Sequence, residues 1–175
     1  MNHKPIISLN QIVGCISRDI THNGNEVSYG WGNEDALMKW LNAKNHKAVE
    51  EALGIGGNFR KYPLIWLVEG WRGQESGTRL HYTDVTFHIA VNSNVESLNE
   101  NRIPQFSILY EVANDFLTKV VDSRARLQQD ATRWTERANF SVSNRESHAI
   151  DIWDTLILQT DLIIDPYCLP ADCGL

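Results

Sequence analysis

Apolar residues recur along this chain in two rhythms, one helical and one extended. From Pro5 to Ile20, the residues Ile6, Ile7, Leu9, Ile12, Val13, Ile16 and Ile20 fall mainly three and four apart. That spacing predicts an amphipathic helix opened near Pro5. Thr21–Glu26 (THNGNE) reads as a turn and Val27–Trp31 as extended. Asn33 can cap a helix whose first turn holds Glu34 and Asp35, where acidic side chains meet the positive end of the helix dipole. Leu37, Trp40 and Leu41 fall on one face of that helix, and a separate short helix over Lys47–Leu53 is stopped by GIGG at Gly54–Gly57. Leu64–Val68 is a continuous apolar run between Pro63 and Gly70, the pattern of a strand buried on both faces.

Beyond it the period changes. Gly73–Gly77 (GQESG) is turn-rich, and Arg79–Asn92 alternates with a period of two. Val85, Phe87, Ile89 and Val91 share one face, and Thr86, His88 and Ala90 the other, so this strand is expected to be half-exposed or to border another subunit. Pro104 opens the clearest helix, with Ile108, Leu109, Val112, Ala113, Phe116, Leu117, Val120 and Val121 as its core stripe. Residues 123–149 form a polar excursion that embeds Trp134 and Phe140 and has room for a hairpin. Thr155–Ile164 places Leu156, Leu158, Leu162 and Ile164 on one side of a last strand, and 165–175 is an irregular tail. This order predicts one α+β domain over residues 1–175, a small, mainly antiparallel sheet flanked by helices.

Composition narrows the function classes. A chain of 175 residues is long enough to bury a core without staples. The net charge of −6 argues against a general nucleic-acid binder, which needs clustered Lys and Arg. No run approaches the roughly 20 apolar residues of a membrane span, and no signal peptide is visible, so a reducing cytosolic setting is expected. Three cysteines, Cys15, Cys168 and Cys173, do not read as a disulfide framework, and the two in the tail read as free thiols. Asn139-Phe140-Ser141 matches a glycosylation sequon, which has no meaning without secretion.

Candidate chemistry is sparse. His81 and His88 share a strand but lie an odd number of residues apart, so they point to opposite faces and cannot jointly hold a metal. Gly54–Asn58 (GIGGN) has the glycines of a phosphate loop. It follows a helix, however, instead of opening one, and reads as a cap and loop. Glu69, Asp84 and His81 could be drawn together as an acid–base or metal-dependent hydrolase site, but nothing in their spacing demands it. No nucleophile elbow is present. The expectation is therefore no catalytic residue, no cofactor and no metal.

Aromatic and basic residues point to contacts instead. The chain has six Trp, and Trp71 and Trp134 lie in polar, turn-rich surroundings, where a large aromatic suits a partner surface. Arg124, Arg126, Arg133 and Arg137 form a basic cluster interrupted by Asp122, Asp130 and Glu136, either a solvated face or an interface with an acidic neighbour. The candidate subunit-interface residues are Trp71, Arg72, Arg124, Arg126, Arg133 and Trp134.

Several stretches together resemble a known family. YGWGNEDALMKWLN is followed by RKYPLIWLVE, an alternating strand ending IAVNSN, the helix FSILYEVANDFLTKV and the closing HAIDIWDTLILQTDLIID. In this order they resemble the tail-completion or tail-terminator proteins of tailed phages and prophages of Bacteroidetes-type hosts. The matching positions are Tyr29 and Gly30, then Tyr62, Pro63, Leu64 and Ile65, then Leu109 and Tyr110. Asp151, Trp153 and Asp154 complete the pattern as a turn before the last strand. Trp31 stands where the family usually carries a His, and the Cys-containing tail is outside the pattern. The resemblance implies an α+β fold with the Tyr-Pro strand at the sheet's centre and the next strand reaching toward neighbours. It implies a homo-oligomeric neck ring in the virion, made in the host cytoplasm, between a portal or adaptor ring and tail proteins. DNA would pass through without specific binding, and no membrane would be involved. It leaves open a long tail or the neck of a short-tailed, crAss-like phage. An assembly chaperone or adaptor absent from the finished virion is the alternative.

Overall fold

The computed structural model describes residues 8–52, 61–93, 103–122, 126–127, 132–142 and 151–164. Helix α1 spans Leu9–Arg18, with Ser8 as its extended N-cap. It thus opens at Leu9, because Ser8 supplies the break that the sequence pattern assigned to Pro5. The Gln11 side chain accepts from the Ser8 N–H at 3.4 Å. Thr21–His22 (β1) and Asn25–Glu26 (β2) form a hairpin around Asn23 and Gly24, whose φ values of 51° and 75° are both left-handed, as a tight two-residue turn requires.

β3 is Ser28–Gly32, and α2 runs unbroken over Glu34–Ala52. Asn33 Oδ1 accepts the Ala36 N–H at 3.0 Å, which confirms the cap. The separate helix expected at Lys47 is instead the continuation of α2, since neither Gly nor Pro lies between Leu41 and Lys47 to stop it. GIGG lies outside the described residues. β4 (Leu64–Val68) follows a cis Tyr62–Pro63 peptide, and β5 (Arg72–Ser76) pairs with the start of β6 (Arg79–Asn92). The expected turn at Gly73–Gly77 is therefore mostly strand, and the turn sits at Gly77, with φ of 61°. α3 is Ile103–Asp122, followed by β7 (Arg126–Leu127), β8 (Arg133–Val142) and β9 (Asp151–Ile164).

The fold is α+β, with a seven-stranded, mostly antiparallel sheet ordered β3-β4-β6-β9-β7. β5 lies on the β4 side of β6, and β8 lies on the β7 side of β9. Only β3 and β4 are parallel among the described pairs. β6, not the Tyr-Pro strand, is central: β4 lies one position toward the β3 edge. The alternation in β6 arises because one face meets two helices and the other is only partly covered.

Both faces of the sheet are packed. On the first face α1 and α3 bury Leu9, Ile12, Val13, Leu109, Val112 and Phe116 against Ile65, Leu67, Phe87, Ile89, Leu156 and Leu158. On the second, α2 places Leu37, Met38 and Leu41 against Leu64, Trp66, Ala90 and Trp153. Coverage on both sides is why Leu64–Leu67 is buried without alternation. Three further expectations are corrected. Val121 is 55% exposed at the end of α3, one position past the buried stripe. Asp151, Trp153 and Asp154 lie inside β9, not in a turn before it. Cys15 is disulfide-bonded, so the cysteines are not all free thiols, and Cys168 and Cys173 lie outside the described residues.

Candidate functional site

Two of the motifs that carry the resemblance, the Tyr-Pro pair and the Asp151–Trp153 group, meet inside the fold. Lys61 Nζ binds Asp151 at 2.9 Å (Oδ1) and 2.7 Å (Oδ2), with side-chain exposures of 16% and 8%. The Tyr62 hydroxyl donates to the same carboxylate, and Trp153 Nε1 donates to the Tyr62 oxygen at 2.6 Å. Burial pushes the Tyr62 hydroxyl above its ordinary range, and its hydrogen bond to Asp151 adds to this. The group thus stays neutral and holds the approach to β4 against the start of β9. Gly30 on β3 belongs to the same framework: a Cβ there would lie 2.4 Å from a Trp66 ring carbon, so only glycine lets β3 approach. These contacts are architectural. They join positions far apart in sequence.

His88 sits on the second face of β6, opposite Trp66 and Ile157, with the Phe140 and Trp153 rings at 5.6 and 6.2 Å. Burial pushes its imidazole down to about 4, and the Arg137 charge acts in the same direction. Its Nδ1 is buried and meets no hydrogen-bond partner among the described residues. Asp84, at φ 59° in the bulge of β6, is held by Arg72 at 2.8 Å, and its N–H donates to Asp161 Oδ1 at 3.1 Å. Glu69 lies on the exposed bend after β4. Among the described residues no group of three or more His, Cys, Asp or Glu is placed to hold a metal. A cleft of about 570 Å³ between the end of α1 and β2–β3 is lined by Arg18, Glu26 and Lys44, and this mixed charge selects no one ligand class.

The candidate interface residues separate onto the two lateral edges of the sheet. Trp71 is half-buried against the first core and meets Trp31 edge-on, with ring centroids 6.4 Å apart. It also lines a cleft of about 370 Å³ with Leu9, Leu80 and Tyr82. Arg72 is exposed beside it, tied to Asp84. On the far edge, Arg133 and Trp134 are exposed on β8. Arg126 lies in β7 opposite Ile163, and Arg124 lies outside the described residues. The fold therefore divides the candidates into a Trp71–Arg72 group and an Arg133–Trp134 group.

Trp31 is the residue that sequence reasoning missed, though it is 46% exposed. The strand registers explain its importance. Trp31 lies opposite Leu67, Leu67 opposite Phe87, Phe87 opposite Leu158, and Leu158 opposite Trp134. Directly opposed residues share a face. One row therefore crosses the whole sheet, buried at Leu67, Phe87 and Leu158 and ending in an exposed Trp at each edge, Trp134 being 61% exposed. The available signal was a Trp between two glycines, Gly30 and Gly32, in a short extended stretch. No helix among the described residues is long and apolar enough to cross a membrane. Neither a family model nor a curated protein matches the chain.

Proposed function

We propose that this chain is a virion structural protein of a tailed phage. It assembles as a homo-oligomeric ring at the head–tail junction, a tail-terminator or neck protein through which DNA passes. The observation that carries the reading is the pair of lateral edges: β3 and β8 each lack an outer partner among the described residues, and each presents an exposed Trp. Two different adhesive edges on one rigid wedge suit a head-to-tail contact, which repeats until rotation closes it into a ring. The resemblance noted in the sequence motivates the same reading, and in this fold its Tyr-Gly, Tyr-Pro and acidic-aromatic residues serve as framework.

On this reading the portal or adaptor ring lies on one side and tail proteins on the other, and neither catalysis nor a cofactor is needed. The net charge of −6 suits a channel wall that does not grip DNA. The test is immunogold electron microscopy of intact virions with antibody to this chain. Gold at the head–tail junction is the expected result. Virions without gold, from cells that contain the protein, would overturn the ring and favour an assembly chaperone or adaptor.

A further inference from the structure

We infer that neighbouring subunits join by continuing the sheet: β8 of one copy pairs antiparallel with β3 of the next, which brings Trp134 beside the second copy's Trp31. This inference rests on the ring reading and specifies its seam. Strand direction supports it. β3 runs parallel to β4, β4 antiparallel to β6, β6 to β9 and β9 to β8, so β8 runs opposite to β3. A second copy shifted along the cross-strand row therefore presents its β3 to β8 in the antiparallel sense. One further strand spacing, about 4.8 Å, completes the pairing. Since both Trp residues end the same row on the same face, that shift stacks them without any change of register.

Charge selects the same partner. Glu34 and Asp35 at the start of α2, and Glu69 beside β3, are exposed at one edge. Glu69 N–H donates to Gly32 O at 3.0 Å, which fixes it there. At the other edge Arg133 and Arg137 are exposed, facing the side of the sheet on which α2 packs, as their pairing with Gln159 and Thr155 shows. Glu136 points to the opposite face, where Tyr110 donates to it. Pairing either edge with its own kind in a two-fold contact brings like charges together, whereas β3 against β8 brings Arg133, whose row across the sheet ends at Gly32, to the acidic group of Glu34, Asp35 and Glu69. β3, with the sequence Ser28-Tyr29-Gly30-Trp31-Gly32, has no Lys or Pro to block an added strand.

The experiment is sedimentation velocity on the full chain and on Trp31→Arg and Trp134→Arg, alone and mixed, with circular dichroism to verify folding. Wild type should assemble. Each variant alone should remain monomeric, its association weakened roughly thirty-fold or more, as expected when a central aromatic anchor is lost. The mixture should stop at one-to-one dimers, since each variant keeps one intact edge. Wild-type assembly retained by either variant would overturn the seam and leave the ring standing. Open filaments sensitive to both variants would uphold the seam and sink the ring, and a monomeric wild type would sink both. Should the Trp variants misfold, charge reversal replaces them. Arg133→Glu should block assembly, and mixing with Glu34→Arg plus Asp35→Arg should restore it, the two variants alternating because acid again meets base at every seam. No restoration would overturn the inference.

Discussion

Replacing His88 with Leu should flatten the acid side of this protein's stability profile. The wild-type imidazole is pushed down to about 4 by burial and by Arg137, whereas in the unfolded chain it titrates near 6.5. Between those values the unfolded chain binds a proton that the folded chain refuses. The stabilisation is therefore fully present above the unfolded value, is lost as pH falls through the window, and levels off below the folded value. The gap corresponds to about 3 kcal/mol at roughly 1.4 kcal/mol per pH unit. Leu fills a similar space between the Phe140 and Trp153 rings and does not titrate. The assay is urea unfolding of both proteins at pH 7 and again near pH 4. Carboxylates that titrate in both proteins cancel in the comparison. Wild type should lose about 2–3 kcal/mol more than His88→Leu across the window. Parallel losses, within about 0.5 kcal/mol, would refute a buried neutral histidine at this position.

Two further substitutions test the framework. Gly30→Ala puts a methyl 2.4 and 2.7 Å from two carbons of the Trp66 ring, which is 2% exposed and braced edge-on by Trp40. Overpacking of this kind should cost about 1–3 kcal/mol in urea unfolding, and an unchanged midpoint would contradict the close approach of β3 to β4. Asp151→Ala leaves the mostly buried Lys61 without its carboxylate and should cost about 3–5 kcal/mol. Adding Lys61→Met to Asp151→Ala should recover part of that loss, and a double variant less stable than Asp151→Ala alone would show that the lysine is stabilised by other groups.

Much of the fold was legible because its determinants are local. The Asn33 cap, the apolar run of β4 and the stripe of α3 each declare themselves within a few residues. What was not legible depends on partners distant in sequence. Arg72–Ser76 is polar throughout and becomes a strand only because Arg79–Thr83 lies opposite it. Arg79–Asn92 alternates like a half-exposed strand, yet it is central, because α2 covers only part of the second face. The candidate interface was half legible. Trp134 stood out in its polar setting, whereas Trp31 gained meaning only from the register that aligns it with Trp134 across the sheet. Nor does spacing foretell that Tyr62, Asp151 and Trp153 meet in one hydrogen-bonded group.

The position of β9 bears on how this protein is made. The ribosome produces β6 well before β9, with α3, β7 and β8 between them, yet β9 is the strand that pairs with β6 along most of its length. Until β9 emerges, β6 exposes an unsatisfied apolar edge, and closure of the sheet waits on a long-range contact that forms slowly. β8 is held to the sheet by β9 alone among the described strands, so the edge that bears Trp134 does not exist on a partly synthesised chain. If subunits join by the seam inferred above, a nascent subunit offers a neighbour its β3 edge but not its β8 edge, and incomplete copies end a growing assembly without propagating it.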